Sequence, residues 1–244
     1  MKKGKILLST SSVLSSLLIG IGVFADQIPT ADPSSEKTSV TATLNAPTTR
    51  TPKAPTDPAK PDESGNKSET VTGVDGKLGI AYYPKSFNFT GNLGGETLIL
   101  SDSSDSISPE ATYNVGVKDD TRQANSWTLK AVLHWNSDEI QGATIKITNP
   151  DNGKVKQNIN NGTTPFENND LVQQSDVQGT TNNTVTLSET EQTIMTKNNN
   201  TVGKGTYDYS LGKLGSLQLT IPNATNLEAK NYSGNVNWNL AITP

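Results

Sequence analysis

The chain has 244 residues, 18% of them charged and only 32% hydrophobic, with 20 Lys and Arg against 24 Asp and Glu. An acidic chain without a basic cluster is a poor candidate for nucleic-acid binding, because such affinity comes largely from Lys and Arg on phosphates. The lack of any cysteine excludes disulfides, thiolate metal sites, a Cys nucleophile and a lipid-modified Cys.

Residues 1–25 read as a secretory signal peptide. Lys2, Lys3 and Lys5 form the positive start, residues 6–24 are mostly apolar or small, and Val23-Phe24-Ala25 fits a small-x-small cleavage pattern before Asp26. The alternative is an uncleaved anchor, since the run is about long enough to span a membrane. Cleavage removes three lysines and no acid, leaving 17 basic against 24 acidic residues and a net charge of −7.

Residues 26–70 carry seven of the 13 prolines, and no aromatic occurs from 26 to 66. Thr51-Pro52-Lys53-Ala54-Pro55-Thr56-Asp57-Pro58 is typical. Such a composition buries too little to offset ordering entropy, so a disordered, Pro/Thr-rich linker is expected here, either a plain spacer or a wall-spanning stalk.

From about residue 71 the texture becomes that of short strands. Strands are expected at 79–84, 96–101, 113–118 and 127–135, with Phe87 and Phe89 on one face of the stretch after the first. They continue at 142–148, 185–188, 193–197, 206–211 and 216–221, the last stopped by Pro222. Asn149-Pro150-Asp151-Asn152-Gly153 is a strong turn. Residues 154–183, rich in Asn, Gln and Thr, are expected to form long loops with one or two weak strands.

All three tryptophans lie in two strands. In Trp127-Thr128-Leu129-Lys130-Ala131-Val132-Leu133-His134-Trp135, alternation sets Trp127, Leu129, Ala131, Leu133 and Trp135 on one face. In the final strand, 235–243, Val236, Trp238, Leu240 and Ile242 share a face opposite Asn237, Asn239, Ala241 and Thr243. The two Trp-x-Leu strands are expected to be the centre of the domain. Their Trp faces either pack a core, as large apolar faces usually do, or stack on a ligand.

No long 3.6-residue period occurs beyond the first 25 residues. Ten or more short strands between Gly, Asn and Pro turns predict an all-β fold, an antiparallel β-sandwich or barrel-like domain over 71–244.

Val115-Gly116-Val117-Lys118-Asp119-Asp120-Thr121-Arg122 before Trp127-Thr128-Leu129, the glycine turn Gly203-Lys204-Gly205-Thr206-Tyr207, and Leu219-Thr220-Ile221-Pro222 before the final Asn237-Trp238-Asn239-Leu240 together carry a resemblance. Over 71–244 the chain resembles the WxL-domain surface proteins of Gram-positive bacteria. The resemblance implies a secreted protein held non-covalently at the cell surface, with peptidoglycan as the ligand. Trp127, Leu129, Trp238 and Leu240, from the two Trp-x-Leu strands, are the candidate binding residues. The resemblance also implies assembly with a membrane-anchored WxL-interacting protein, so a protein–protein or adhesion module is the alternative function. No Leu-Pro-x-Thr-Gly sorting motif occurs, which agrees with non-covalent retention and with no transmembrane segment after signal cleavage.

Catalysis has little support. The single His134 has no nucleophile partner in the sequence. The carboxylates Asp102/Asp105, Asp119/Asp120 and Asp138/Glu139 match no EF-hand pattern and are expected as solvated turn residues. No enzyme activity, metal or cofactor is expected.

Overall fold

The computed structural model describes residues 38–45, 52–55, 68–70, 77–103, 112–136 and 140–243. The signal-peptide expectation lies outside these residues. The chain divides into two units, Met1–Leu44 and Asn45–Pro244. Residues 38–44 of the first are exposed and carry no regular element. The second holds all the strands among the described residues.

The strands are β1 (Ser68–Thr70), β2 (Leu78–Pro84), β3 (Leu98–Ser101), β4 (Thr112–Asp119), β5 (Ser126–Trp135), β6 (Thr144–Thr148) and β7 (Lys156–Asn158). They continue as β8 (Leu171–Gln173), β9 (Val177–Gly179), β10 (Thr184–Leu187), β11 (Gln192–Lys197), β12 (Gly205–Lys213), β13 (Gln218–Ile221) and β14 (Gly234–Thr243). Among the described residues the only helical pieces are two 3-10 turns, Asn168–Asp170 and Ala224–Asn226.

Every pairing is antiparallel. One sheet has the order β1-β2-β4-β12-β7-β8, a second β10-β6-β13-β3, and a third β14-β5-β11-β9. Together they make the expected all-β, sandwich-like fold. One large apolar core joins the three. Val115, Val117, Tyr207 and Leu211 enter it from the first sheet, Ile145, Ile147, Leu187 and Leu219 from the second, and Trp127, Leu129, Leu133 and Met195 from the third. Period-two alternation supplies these residues, because each strand sends every second side chain inward.

Residues 154–183 contain three strands, β7, β8 and β9, rather than one or two. Each has three residues, too few for an alternation signal. Side-chain amides hold this region: the Gln174 amide donates to the Val155 and Val177 carbonyls at 2.8 and 2.9 Å, and its oxygen accepts from Val177 N–H at 2.9 Å. Polar composition there reflects sheet-binding amides as much as loops.

Two parts of the stretch expected as linker belong to the second unit. Ser68–Thr70 pairs with Tyr82–Pro84 of β2, and residues 52–55 lie on the domain with Ala54 only 4% exposed.

Candidate functional site

The two Trp-x-Leu strands lie side by side. β14 pairs with β5 in unbroken register over ten residues, from Gly234 opposite Trp135 to Thr243 opposite Ser126. Trp238 sits opposite Ala131, Leu240 opposite Leu129 and Ile242 opposite Trp127. Directly opposed residues in an antiparallel pair point to the same face. Both Trp-x-Leu faces therefore turn towards the core.

Their environments differ. β5 is internal to its sheet and β14 lies at the edge. Trp127 and Leu129 are 0% exposed. Trp238 and Leu240 are half-buried against the core. Of the four candidate binding residues, Trp127 and Leu129 are enclosed in the core and Trp238 and Leu240 are half-buried at its edge.

Trp127 is anchored as well as packed. Its indole Nε1–H donates to Asp119 Oδ2 at 2.9 Å, and its ring lies 5.9 Å from that of Tyr207 at 53°. Asp119 Oδ1 accepts from Thr121 N–H at 3.2 Å and from the Thr121 hydroxyl at 2.6 Å. The Lys197 ammonium lies 3.6 Å from Asp119 Oδ2, and both side chains are fully buried. Lys197 also donates to the backbone and side-chain oxygens of Asn125. A buried pair is tolerated when its remaining hydrogen-bonding capacity is satisfied in this way.

This cluster joins the motifs that resemble the family. Arg122 N–H donates to Gly203 O at 3.0 Å and Gly203 N–H to Gln123 O at 3.1 Å. A Cβ at position 203 would fall 2.1–2.4 Å from the Asp119 carboxylate, so the glycine turn is required by the close approach of that carboxylate.

The expectation of solvated carboxylates is corrected here. Asp119 and Asp120 are 0% and 6% exposed, and Asp102 is 4% exposed. Asp102 accepts from the Tyr113 hydroxyl at 2.9 Å and from Gly215 and Leu217 N–H, both at 2.8 Å. It staples β4 to the loop before β13. Asp105, Asp138 and Glu139 lie outside the described residues. Among the described residues no group of three or more His, Asp or Glu could hold a metal ion.

The outward face of the β14/β5 pair is polar apart from Val132, which is only 6% exposed. Asn235, Asn237 and Asn239 stand in a row at alternate positions, all exposed, opposite His134, Val132 and Lys130. The Asn235 amide donates to Asn136 Oδ1 at 3.2 Å and the Asn239 amide to Glu191 Oε1 at 2.8 Å. Lys130 pairs with Glu191 Oε2 at 3.3 Å. Hydrogen bonds from Asn239 and Lys130 hold the Glu191 carboxyl below its ordinary value. Beyond these bonds each Asn amide keeps an acceptor oxygen and at least one donor N–H, the functional groups that polar polymers of sugars and amides engage. The Trp-x-Leu spelling marks the buried side of these strands; the alternate Asn residues of the final strand are the sequence signal for the exposed side.

A second polar feature lies on the outer face of the six-stranded sheet. An open cleft of about 340 Å³ is lined by Pro52, Asp120, Asn158, Asn160, Lys204 and Thr206, among others. The Thr206 hydroxyl is buried there without a hydrogen-bond partner. Beside it the Tyr82 ring crosses Gly116, where a Cβ would come within 2.4–2.7 Å of the ring. The Tyr82 hydroxyl donates to Asp208 Oδ2 at 2.7 Å, and the Asn114 amide donates to Asp208 Oδ1 at 2.7 Å. Burial pushes the Asp208 carboxyl up to about 7, against the lowering effect of these two donors.

The fold and these sites define a class: an all-β surface domain organised by two adjacent Trp-x-Leu strands, with polar exposed sheet faces. The family model described as WxL domain surface cell wall-binding matches residues 31–244, and the chain belongs to that family. No curated protein and no solved structure matches the chain. Membership makes this a binding protein of the cell surface and wall. Among the described residues, no helix is long and apolar enough to cross a membrane.

Proposed function

We propose that the protein attaches non-covalently to the Gram-positive cell wall by binding peptidoglycan, as a secreted surface protein and without catalysis. The observation that carries this reading is the wall-binding family match over 31–244. Trp127, Leu129, Trp238 and Leu240 serve binding indirectly, by fixing the β14/β5 pair. The contact is made by the outward side of that pair, above all Asn235, Asn237 and Asn239 with Lys130. Exposed amides in a flat row can engage amide and hydroxyl groups of a polymer without a deep pocket. The test is sedimentation of the secreted chain with peptidoglycan freed of proteins and secondary wall polymers. Co-sedimentation is expected. A folded chain left in the supernatant would contradict the reading.

One observation favours a second reading, docking to a WxL-interacting protein. Among the described residues β14 has a strand partner on one side only. Such an edge can accept a strand from a partner. If deletion of the partner abolished surface retention while purified peptidoglycan failed to bind the chain, this second reading would replace the first.

A further inference from the structure

The outer face of the six-stranded sheet is covered by a piece of the chain's own Pro/Thr-rich stretch. Pro52, Ala54 and Pro55 are buried and Lys53 points to solvent. The Ala54 methyl packs with Ala81 and Tyr82. Two side-chain amides grip the backbone of one residue: Lys53 N–H donates to Asn160 Oδ1 at 3.2 Å, and the Asn158 amide donates to Lys53 O at 2.8 Å. Engaging a peptide unit through its main chain, with a small pocket for the next side chain, is how extended peptides are recognised.

The receiving groups are held by bonds that do not involve the segment. Asn160 N–H donates to Asn158 Oδ1 at 3.0 Å, and the Asn160 amide donates to Asp170 Oδ2 at 2.9 Å. The Asn158 amide also donates to the Tyr82 hydroxyl at 3.2 Å, which is itself fixed by Asp208. The groove is therefore preorganised rather than shaped by its occupant. The occupant suits it: prolines at 52 and 55 fix extended backbone and bring no N–H that needs a partner. The neighbouring cleft, with its unpartnered Thr206 hydroxyl, continues the polar surface past Pro52.

We propose that this face is a peptide-binding site whose ligand is the Pro52-Lys53-Ala54-Pro55 segment, held in cis within one chain and exchangeable in trans with the same segment of a second copy. In cis the tether gives the segment a high effective concentration, so the closed single chain dominates at low protein concentration. Release of the segment opens the groove to a neighbour's.

The test pairs two full-chain variants. Ala54→Arg sets a long charged side chain against Ala81 and Tyr82, so its segment is released and its groove is empty. Asn158→Ala weakens the groove and leaves a free, intact segment. Each alone should remain monomeric by light scattering, and their mixture should form a heterodimer. A labelled peptide of residues 49–58 should bind Ala54→Arg about tenfold more tightly than the wild type, the ratio that corresponds to a wild-type groove filled by its own segment about nine-tenths of the time. A deletion of residues 50–58 should bind the peptide like Ala54→Arg, which guards against misfolding by the inserted Arg; near-UV circular dichroism checks all the variants. No heterodimer from folded variants, or equal peptide affinity for Ala54→Arg with and without Asn158→Ala, would overturn the proposal.

Discussion

The two Trp-x-Leu strands are spelled alike and paired residue for residue, yet they do different things. β5 lies inside its sheet, so Trp127 is enclosed on all sides and its indole N–H needs, and has, a buried acceptor in Asp119. β14 lies at the edge, so Trp238 covers the rim of the same core and remains half-exposed. Position in the sheet, and not the tripeptide, decides what each Trp contributes. The first copy is a structural anchor. The second closes the core while its alternate residues present an amide row to the outside.

That contrast predicts a graded mutational response. Trp127→Ala should cost about 3–5 kcal/mol in urea unfolding, a large share of the ~5–15 kcal/mol that holds a typical domain. Lys197→Met should be comparably severe, about 3–5 kcal/mol, because it strands the Asp119 carboxylate without its cation. Trp238→Ala removes a half-buried ring and should cost less, about 1–3 kcal/mol. Equal losses at the two tryptophans would erase the distinction between anchor and rim.

A buried carboxylate away from the Trp-x-Leu strands, Asp208, gives a pH test. Asp208 titrates near 7 in the folded chain and near ~4 when unfolded. Between those values the folded state holds the extra proton, so this group's contribution to stability is fully present below pH ~4 and is lost as pH rises through about 7. Urea midpoints measured from pH 4 to 8 should fall more steeply in the wild type than in Asp208→Asn. Parallel curves would show that Asp208 is ionised throughout.

The smallest effect on stability is expected from Asn235→Ala, Asn237→Ala and Asn239→Ala together. These side chains are exposed, and surface changes usually stay within about 0.5 kcal/mol each.

The alternation of the long strands is legible in the sequence itself. Trp127, Leu129, Ala131 and Leu133 reach the core together because period two leaves no other arrangement once one of them is buried. The sequence left open whether the Trp faces met core or ligand, because apolar residues serve either. The three short strands of 154–183 escaped because amide hydrogen bonds replace apolar alternation there. Asp102 and Asp119 were misjudged for a related reason: a carboxylate in a polar turn reads as solvated, and only the three-dimensional structure shows the Tyr113, Trp127 and Lys197 partners that make burial tolerable. Nothing in Pro52-Lys53-Ala54-Pro55 distinguishes it from the surrounding Pro/Thr-rich residues; its receptor, Asn158 and Asn160, lies more than a hundred positions away.

The most direct test of the division between inward and outward sides is sedimentation of the Asn235→Ala, Asn237→Ala, Asn239→Ala chain with purified peptidoglycan, alongside circular dichroism and urea unfolding. The predicted result is a chain as folded as the wild type that no longer sediments with the wall. A folded triple variant that sediments as well as the wild type would contradict the account and move the binding surface away from the outward face of the Trp-x-Leu strands.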